Sequence, residues 1–312
     1  MRFEQLSGIA RKCGGGKQPS LKYWVFGVEC VPFAKGKGYS MHSPTLLSEI
    51  YERMRSVNQE RWFRAMVRWK APARSKGFFD LYPRFFSTSE TASAPDRLNQ
   101  RYRALIQSNI GIISGRRVLD IASHDGRWSL AAHKAGAEYV LGIEARQHLT
   151  DAARANIVEY QVPVGKVEFV HGDVMVELDK LETGSFDTVF CFGFLYHTID
   201  HMALLRKIAR LQSASLVVDT SISLRPGSII EVREEETEHE SAAAVGEPGH
   251  PTRAVSGNPS RAALELMLKA GGFLTLNYYD WQHVGIKRWD DLKDYYLGKR
   301  ISVTATRFGS PT

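Results

Sequence analysis

The chain has 312 residues, 43% hydrophobic and 24% charged, with a formal net charge of +7. That length predicts one large domain, or one domain with an extension, and the composition suffices for a packed core. Every apolar run falls short of the ~20 residues that cross a bilayer, so a cytoplasmic chain with no membrane span and no secretory leader is expected. The three cysteines, Cys13, Cys30 and Cys191, are an odd number without metal-ligand spacing, which fits a reduced compartment. The basic balance suits nucleic acid, phosphorylated substrates or an anionic surface, and it suits equally a solvated basic face.

In chain order, residues 1–42 are rich in Gly and Lys ("RKCGGGKQPS", "AKGKGYS") and predict a flexible basic arm. Residues 43–96 predict a helical extension: Ser43 is an N-cap candidate, Pro44 takes the first helical position, and apolar residues follow at helical spacing. The stretch "KAPARSKGFFDLYPRFFSTSETASAPD" reads as an aromatic, Pro-punctuated loop, and a helix is expected over 95–112. Strand-like runs then alternate with helix-like ones. The strands are "RRVLDIA", "YVLGIE", "KVEFVHG", "FDTVFCF", "SLVVDTSI", "FLTLNYY" and "ISVTATRF". The helices fall over 126–135, 147–160, 201–211 and 260–270. Apolar strands between amphipathic helices predict a parallel sheet covered on both faces, in a domain over 97–312. A polar insert, 223–258, breaks the alternation and is expected to be a lid.

In such folds ligands sit at the carboxyl ends of the strands. "VLDIASHDG" supplies a strand ending at Asp120, small Ala122 and Ser123, then His124, and Gly126 to open a helix. Glu144, followed by Ala145, ends the next strand about 20 residues on, where an acid accepts ribose hydroxyls. After the third strand, Gly172, Asp173 and Val174 place a carboxylate that accepts from an adenine amino group. The fourth strand ends on Phe192 and Gly193. A dinucleotide site would carry a fuller G-x-G-x-x-G.

On these residues, with "FDTVFCFGFLYHTIDHMALLRKIARL" and "PSRAALELMLKAGGF", the chain resembles class I S-adenosylmethionine-dependent methyltransferases over about 97–308. It is similar in particular to bacterial sugar and natural-product O-methyltransferases and to the wobble-uridine tRNA carboxymethyltransferases. The resemblance implies a Rossmann-like, doubly wound α/β sheet of order 3-2-1-4-5-7-6 with the last strand antiparallel. It also implies S-adenosylmethionine as cofactor. The family loop D-x-G-x-G-x-G departs here, because Ala122 and His124 replace its first two glycines; a negative φ at Ala122 would accommodate it.

Methyl transfer to a hydroxyl needs in-line placement and a base to take the proton. His197, just past the fourth strand, and His124, in the first loop, are the candidate bases; His201 is expected to open the next helix, and Tyr196 to pack on the cofactor or in the core. Asp219, Glu235, Glu236, His239, Glu240 and His250 could hold Mg²⁺, or the acidic run could be one solvated helix face. Trp281, Trp289, Tyr295 and Tyr296 could stack on a sugar or base, or pack internally. Arg61, Trp62, Arg64, Arg68 and Trp69 could bind RNA, cap the cleft or form a homodimer surface. The expected activity is O-methylation of a saccharide or similar polar metabolite. The alternatives are a wobble-uridine tRNA alkyltransferase and a non-catalytic protein of the same fold.

Overall fold

The computed structural model describes residues 23–26, 29–32, 77–87, 95–239, 241–284 and 289–307. The helix expected from Ser43 lies outside the described residues, as do Arg61, Trp62, Arg64, Arg68, Trp69 and Glu240. Two units are distinguished, Met1–Met41 and His42–Thr312. Within the first, Tyr23–Phe26 pairs antiparallel with Glu29–Pro32, so this part of the expected arm is a β-ribbon.

The second unit is ordered around strands β1 (Arg117–Ile121), β2 (Tyr139–Glu144), β3 (Val167–His171), β4 (Thr188–Phe192) and β5 (Ser215–Ser221). They are followed by β6 (Ile230–Glu236), β7 (Arg253–Pro259), β8 (Phe273–Tyr278) and β9 (Arg300–Arg307). Seven of these form one sheet in the order β3-β2-β1-β4-β5-β9-β8. The first five strands are parallel, and β9 runs antiparallel to both β5 and β8. This is the expected order once β6 and β7, which pair only with each other, are set aside.

The described helices are α1 (Pro95–Leu105), α2 (Arg127–Lys134), α3 (Gln147–Glu159), α4 (Val174–Lys180), α5 (His201–Arg210), α6 (Arg261–Ala270) and α7 (Trp289–Tyr296). Strand alternation splits the core in two. Val118, Val140, Phe190 and Val217 meet Leu98 and Leu105 of α1, Trp128 of α2, Ile157 of α3 and Tyr296 of α7. Leu119, Leu141, Val189 and Val218 meet Leu178 of α4, Leu204 and Ile208 of α5, and Leu264 and Leu268 of α6. Burial of each such side chain contributes about 1.5–3 kcal/mol.

Three expectations are corrected. The helix over 95–112 stops at Leu105 and continues as a 3₁₀ turn, Gln107–Ile112, with non-helical backbone at Asn109. The aromatic loop before it is ordered: 3₁₀ turns Phe78–Leu81 and Pro83–Phe86 bury Phe79 and Phe85 completely, with Phe79 edge-on to Trp128 at 5.5 Å. The acidic insert is an antiparallel ribbon rather than a helix. Pairing with "RAVSGNP" makes "IEVREEE" alternate, so exposed Glu234 meets Arg253 while Glu235 turns inward.

Candidate active site

The loop joining β1 to α2 keeps the backbone of a glycine loop without its first two glycines. Ala122 (φ 53°), His124 (φ 55°) and Gly126 (φ 77°) are all left-handed. The negative φ expected at Ala122 is therefore corrected. A left-handed non-glycine residue costs roughly 1–2 kcal/mol, so the surrounding contacts hold the loop in place. The Ser123 amide donates to Ile143 O at 2.9 Å, and the His124 amide donates to Glu144 Oε2 at 2.9 Å. Gly126 is required for space as well: a Cβ there would lie 2.7 Å from Phe169 Cζ.

Glu144 is buried and faces this loop; its other oxygen accepts the Arg146 amide at 2.9 Å. The Gly172 amide donates to Glu144 O, tying the ends of β2 and β3 together. Asp173 caps α4, accepting from the Met175 amide at 2.9 Å, and Val174 is buried behind it. The carbonyl of half-buried Ala145 accepts from His171 Nε2 at 2.9 Å.

Asp120 is buried at the end of β1. Its Oδ2 accepts from Ser129 Oγ at 2.6 Å, whereas Oδ1 has no partner, and neither does the buried Ser123 Oγ. Burial, aided by the charges of Glu144 and Asp125 and only partly offset by Ser129, pushes the Asp120 carboxyl up to about 7. An orphaned buried carboxylate oxygen, with an orphaned hydroxyl three residues on in the same loop, suits a cationic, hydrogen-bonding group, and the amino-acid end of S-adenosylmethionine is one. The residues present therefore fit that cofactor.

His124 joins a different pair. Arg127 clasps buried Asp125 through Nε at 2.6 Å and Nη2 at 2.7 Å, and Arg127 Nη2 lies 3.2 Å from His124 Nδ1. Against the cost of burial, the charge of Arg127 and the hydrogen bond and charge of His124 hold Asp125 well below the usual carboxylate range. The imidazole of His124 is thus tied to the loop's own ion pair.

Phe192 stacks on Phe190 at 4.7 Å and meets Trp128 edge-on at 5.6 Å. After it, left-handed Gly193 leads into the 3₁₀ turn Leu195–His197. His197 Nδ1 lies 2.7 Å from Glu235 Oε2, and its Nε2 carries no hydrogen bond to a described residue. His201 opens α5, and its Nε2 donates to Gly257 O of the insert at 3.0 Å.

The metal expectation is corrected. Asp219 lies fully buried on β5, and its carboxylate accepts from Arg300 Nε at 2.6 Å, Arg101 Nη2 at 3.0 Å, Tyr295 OH at 2.7 Å and Ser302 Oγ at 2.7 Å. Those donors use the lone pairs that a cation would need. Arg300, Arg101, Ser302 and Tyr295 together hold Asp219 far below its usual range despite burial. Glu236 and His239 are exposed, with His239 Nδ1 against Ser241, and Glu235 is engaged with His197. No group of three His, Cys, Asp or Glu suited to a metal exists among the described residues. The aromatic residues Trp281, Tyr295 and Tyr296 are buried packing, Trp281 stacking on Tyr295 at 3.8 Å; the side chain of Trp289 lies outside the described residues.

Arg101, Arg146 and Arg300 were not anticipated from sequence. Arg101 and Arg300 reach Asp219 across 118 and 81 residues, separations at which spacing carries no signal. Only Arg300, a buried charge opening a strand that carries no further charge before Arg307, offered a hint.

Residues 118–214 match the methyltransferase domain family. With the sheet order and the strand-end loop, this match marks residues 118–214 as a methyltransferase domain on a class I, Rossmann-like sheet. The chain is 28% identical over 196 residues to the tRNA U34 carboxymethyltransferase of Pseudomonas savastanoi pv. phaseolicola, covering 59% of this chain and 56% of that protein. Over 165 residues it is 30% identical to the enzyme of the same name from Pseudomonas aeruginosa, covering 52% of this chain and 46% of that protein. The chain thus spans about half the length of the curated relatives it matches. Among solved structures it is similar to the N-terminal domain of EvdMO1 crystallised with SAH and D-fucose, at 22% identity and a TM-score of 0.48, covering 68% of this chain and 82% of that one. It is also similar to an S-adenosylmethionine-dependent methyltransferase from Mesorhizobium loti, at 21% identity and a TM-score of 0.46, covering 63% and 93%. No helix among the described residues is long and apolar enough to cross a membrane.

Proposed function

We propose that this domain transfers a methyl group to a hydroxyl oxygen of a polar small molecule, a saccharide being the first class to test. The reading rests on one observation: His197, in the 3₁₀ turn that follows β4, has Nδ1 fixed by Glu235 and Nε2 open. When bound, S-adenosylmethionine supplies an electrophilic sulfonium methyl group. Glu144 takes the ribose hydroxyls, Asp173 the adenine amino group, and Asp120 with Ser123 the amino-acid end. The backbone of Ala122, His124 and Gly126 leaves room for close approach, with Ala145, Gly172, Val174, Phe192 and Gly193 lining the remainder. His197 Nε2 removes the acceptor's proton, a role worth about 10²–10⁴-fold. The segment 223–258 serves as a lid over the acceptor. The test is calorimetry with S-adenosylmethionine, followed by labelled methyl transfer to a panel of hydroxylated saccharides. His197→Ala is expected to cut turnover at least a hundredfold with cofactor affinity nearly kept; full turnover in that variant would remove the base.

A second reading is carboxymethyl transfer to a wobble uridine in tRNA. It is supported by the name of the curated relatives and by one cation: Arg300 Nη1 lies 3.3 Å from Tyr196 OH, and its Nη2 is the group that a Cβ on Gly193 would face at 3.5 Å. That placement suits a carboxylated donor. Tighter binding of such a donor than of S-adenosylmethionine, reversed in Arg300→Met, would establish it, as would RNA affinity falling steeply with salt.

A further inference from the structure

Arg146 is an arginine with no carboxylate partner among the described residues. It follows β2 directly and its amide is spent on Glu144. Its guanidinium reaches the insert. Nη1 donates to Thr237 O at 3.2 Å, and Nη2 donates to His239 O and Ala242 O, both at 3.0 Å, and to Ala243 O at 3.4 Å. Those four carbonyls belong to the turn that follows β6 in the insert. A planar fork of donors can hold several acceptors at fixed angles, which a lysine's point charge cannot.

The same turn holds Glu235. The Ala243 amide donates to Glu235 Oε2 at 2.7 Å, on the oxygen that meets His197. Oε1 accepts from Arg233 Nε at 2.9 Å and Nη2 at 2.6 Å, and from Ser256 Oγ of β7 at 3.0 Å. Five donors from four residues thus fix this carboxylate. Burial alone would raise it; the hydrogen bond and charge of His197, with Arg233 and the Ala243 amide, outweigh burial and hold it at about 2. It is ionised at neutral pH and accepts from His197 Nδ1–H, which selects the tautomer with Nε2 as acceptor.

We propose that Arg146 and Glu235 are positioning residues: Arg146 fastens the insert's turn to the ribose-binding end of β2, and Glu235, braced by that turn, sets the ring and tautomer of His197. The proposal rests on the reading of His197 as base. A continuous path then runs from Glu144 through the backbone of Arg146, its guanidinium, Ala243 and Glu235 to His197. Base alignment depends on an insert that the cofactor edge holds down.

The test uses the full chain labelled with ¹⁵N-histidine, with His197 assigned by its loss in His197→Ala. Long-range ¹H–¹⁵N spectra are expected to show the Nδ1–H tautomer in the wild type and in Glu235→Gln, whose amide oxygen still accepts. In Glu235→Ala that preference is lost. In Arg146→Met, backbone amides of 237–243 exchange at least tenfold faster and the His197 signal moves toward that of Glu235→Ala. Arg146→Lys, which keeps the charge but not the fork, falls between. A folded Glu235→Ala with the wild-type tautomer, or Arg146→Met with unchanged exchange in 237–243, overturns the positioning. If turnover is lost in His197→Ala while the tautomer ignores Glu235, positioning fails and the base reading stands. If turnover survives in His197→Ala, the base reading fails and takes the catalytic purpose of Glu235 with it.

Discussion

The two sides proposed for this site, one for cofactor and one for acceptor, are built in opposite ways. On the cofactor side, Asp120, Ala122, Ser123, His124 and Gly126 lie within seven consecutive residues, and Glu144 and Asp173 each end or follow one strand. On the acceptor side, His197 meets Glu235 across 38 residues, and Tyr196 meets Arg300 across 104. The local side tolerates substitution of its signature residues, because the loop amides of Ser123 and His124, donating to Ile143 O and Glu144 Oε2, hold the left-handed backbone whichever side chain is present. The distant side depends on each partner arriving, and loss of one leaves the other unsatisfied.

The largest effect should come from breaking the distant side at its centre. Asp219→Ala leaves Arg300 and Arg101 buried without their carboxylate, and an uncompensated buried charge costs about 3–5 kcal/mol. The denaturation midpoint should fall accordingly, and an unchanged midpoint would mean that this network is not part of what holds β9 and α1 against β5.

Asp120 should give the next largest effect, and of opposite sign. Its carboxyl titrates near 7 when folded, so the folded state binds more protons than the unfolded chain from the ordinary aspartate range up to about 7. Stability contributed by this group therefore falls as pH rises through that window. Asp120→Asn should stabilise the protein above pH 7 by a few kcal/mol, at about 1.4 kcal/mol per pKa unit, while weakening cofactor binding. Thermal melts against pH in both proteins, with calorimetry, test this. Stabilisation without loss of affinity would make Asp120 purely structural.

Smaller gains are expected in the loop itself. Ala122→Gly and His124→Gly should each stabilise by about 0.5–1 kcal/mol, because relief of the left-handed strain exceeds the added unfolded-state entropy. A loss in either would show that the side chain contributes more than its backbone costs. The smallest expected effect is none at all: EDTA should leave turnover unchanged, since the donors around Asp219 occupy the only buried carboxylate proposed as a ligand. Activity lost in EDTA and restored by Mg²⁺ would overturn that.

The sheet was legible because its signal is local and repeated. β1, β2, β4 and β5 read as nearly unbroken apolar runs, and both faces of each are buried. Helix starts were legible where one residue decides them, as with Ser260, whose Oγ accepts the Ala263 amide. The insert was misread because "EVREEETEHE" has no apolar periodicity of its own, and its strand character comes from β7, some twenty residues on. Phe79 and Phe85 looked like loop aromatics until Trp128 and Tyr160 supplied the surface they bury against.

By itself the sequence determined the alternation of strands and helices, the sheet order through its resemblance to a family, and the acids at the strand ends. These follow from periodicity and from chain segments that touch their neighbours in sequence. Only the tertiary structure decided that Ala122 and His124 adopt glycine-like backbone, that Asp219 serves an arginine cluster rather than a metal, and that Glu235 belongs to His197. Those outcomes turn on hydrogen-bond partners many tens of residues apart or on strain that distant contacts sustain, and no local pattern encodes either.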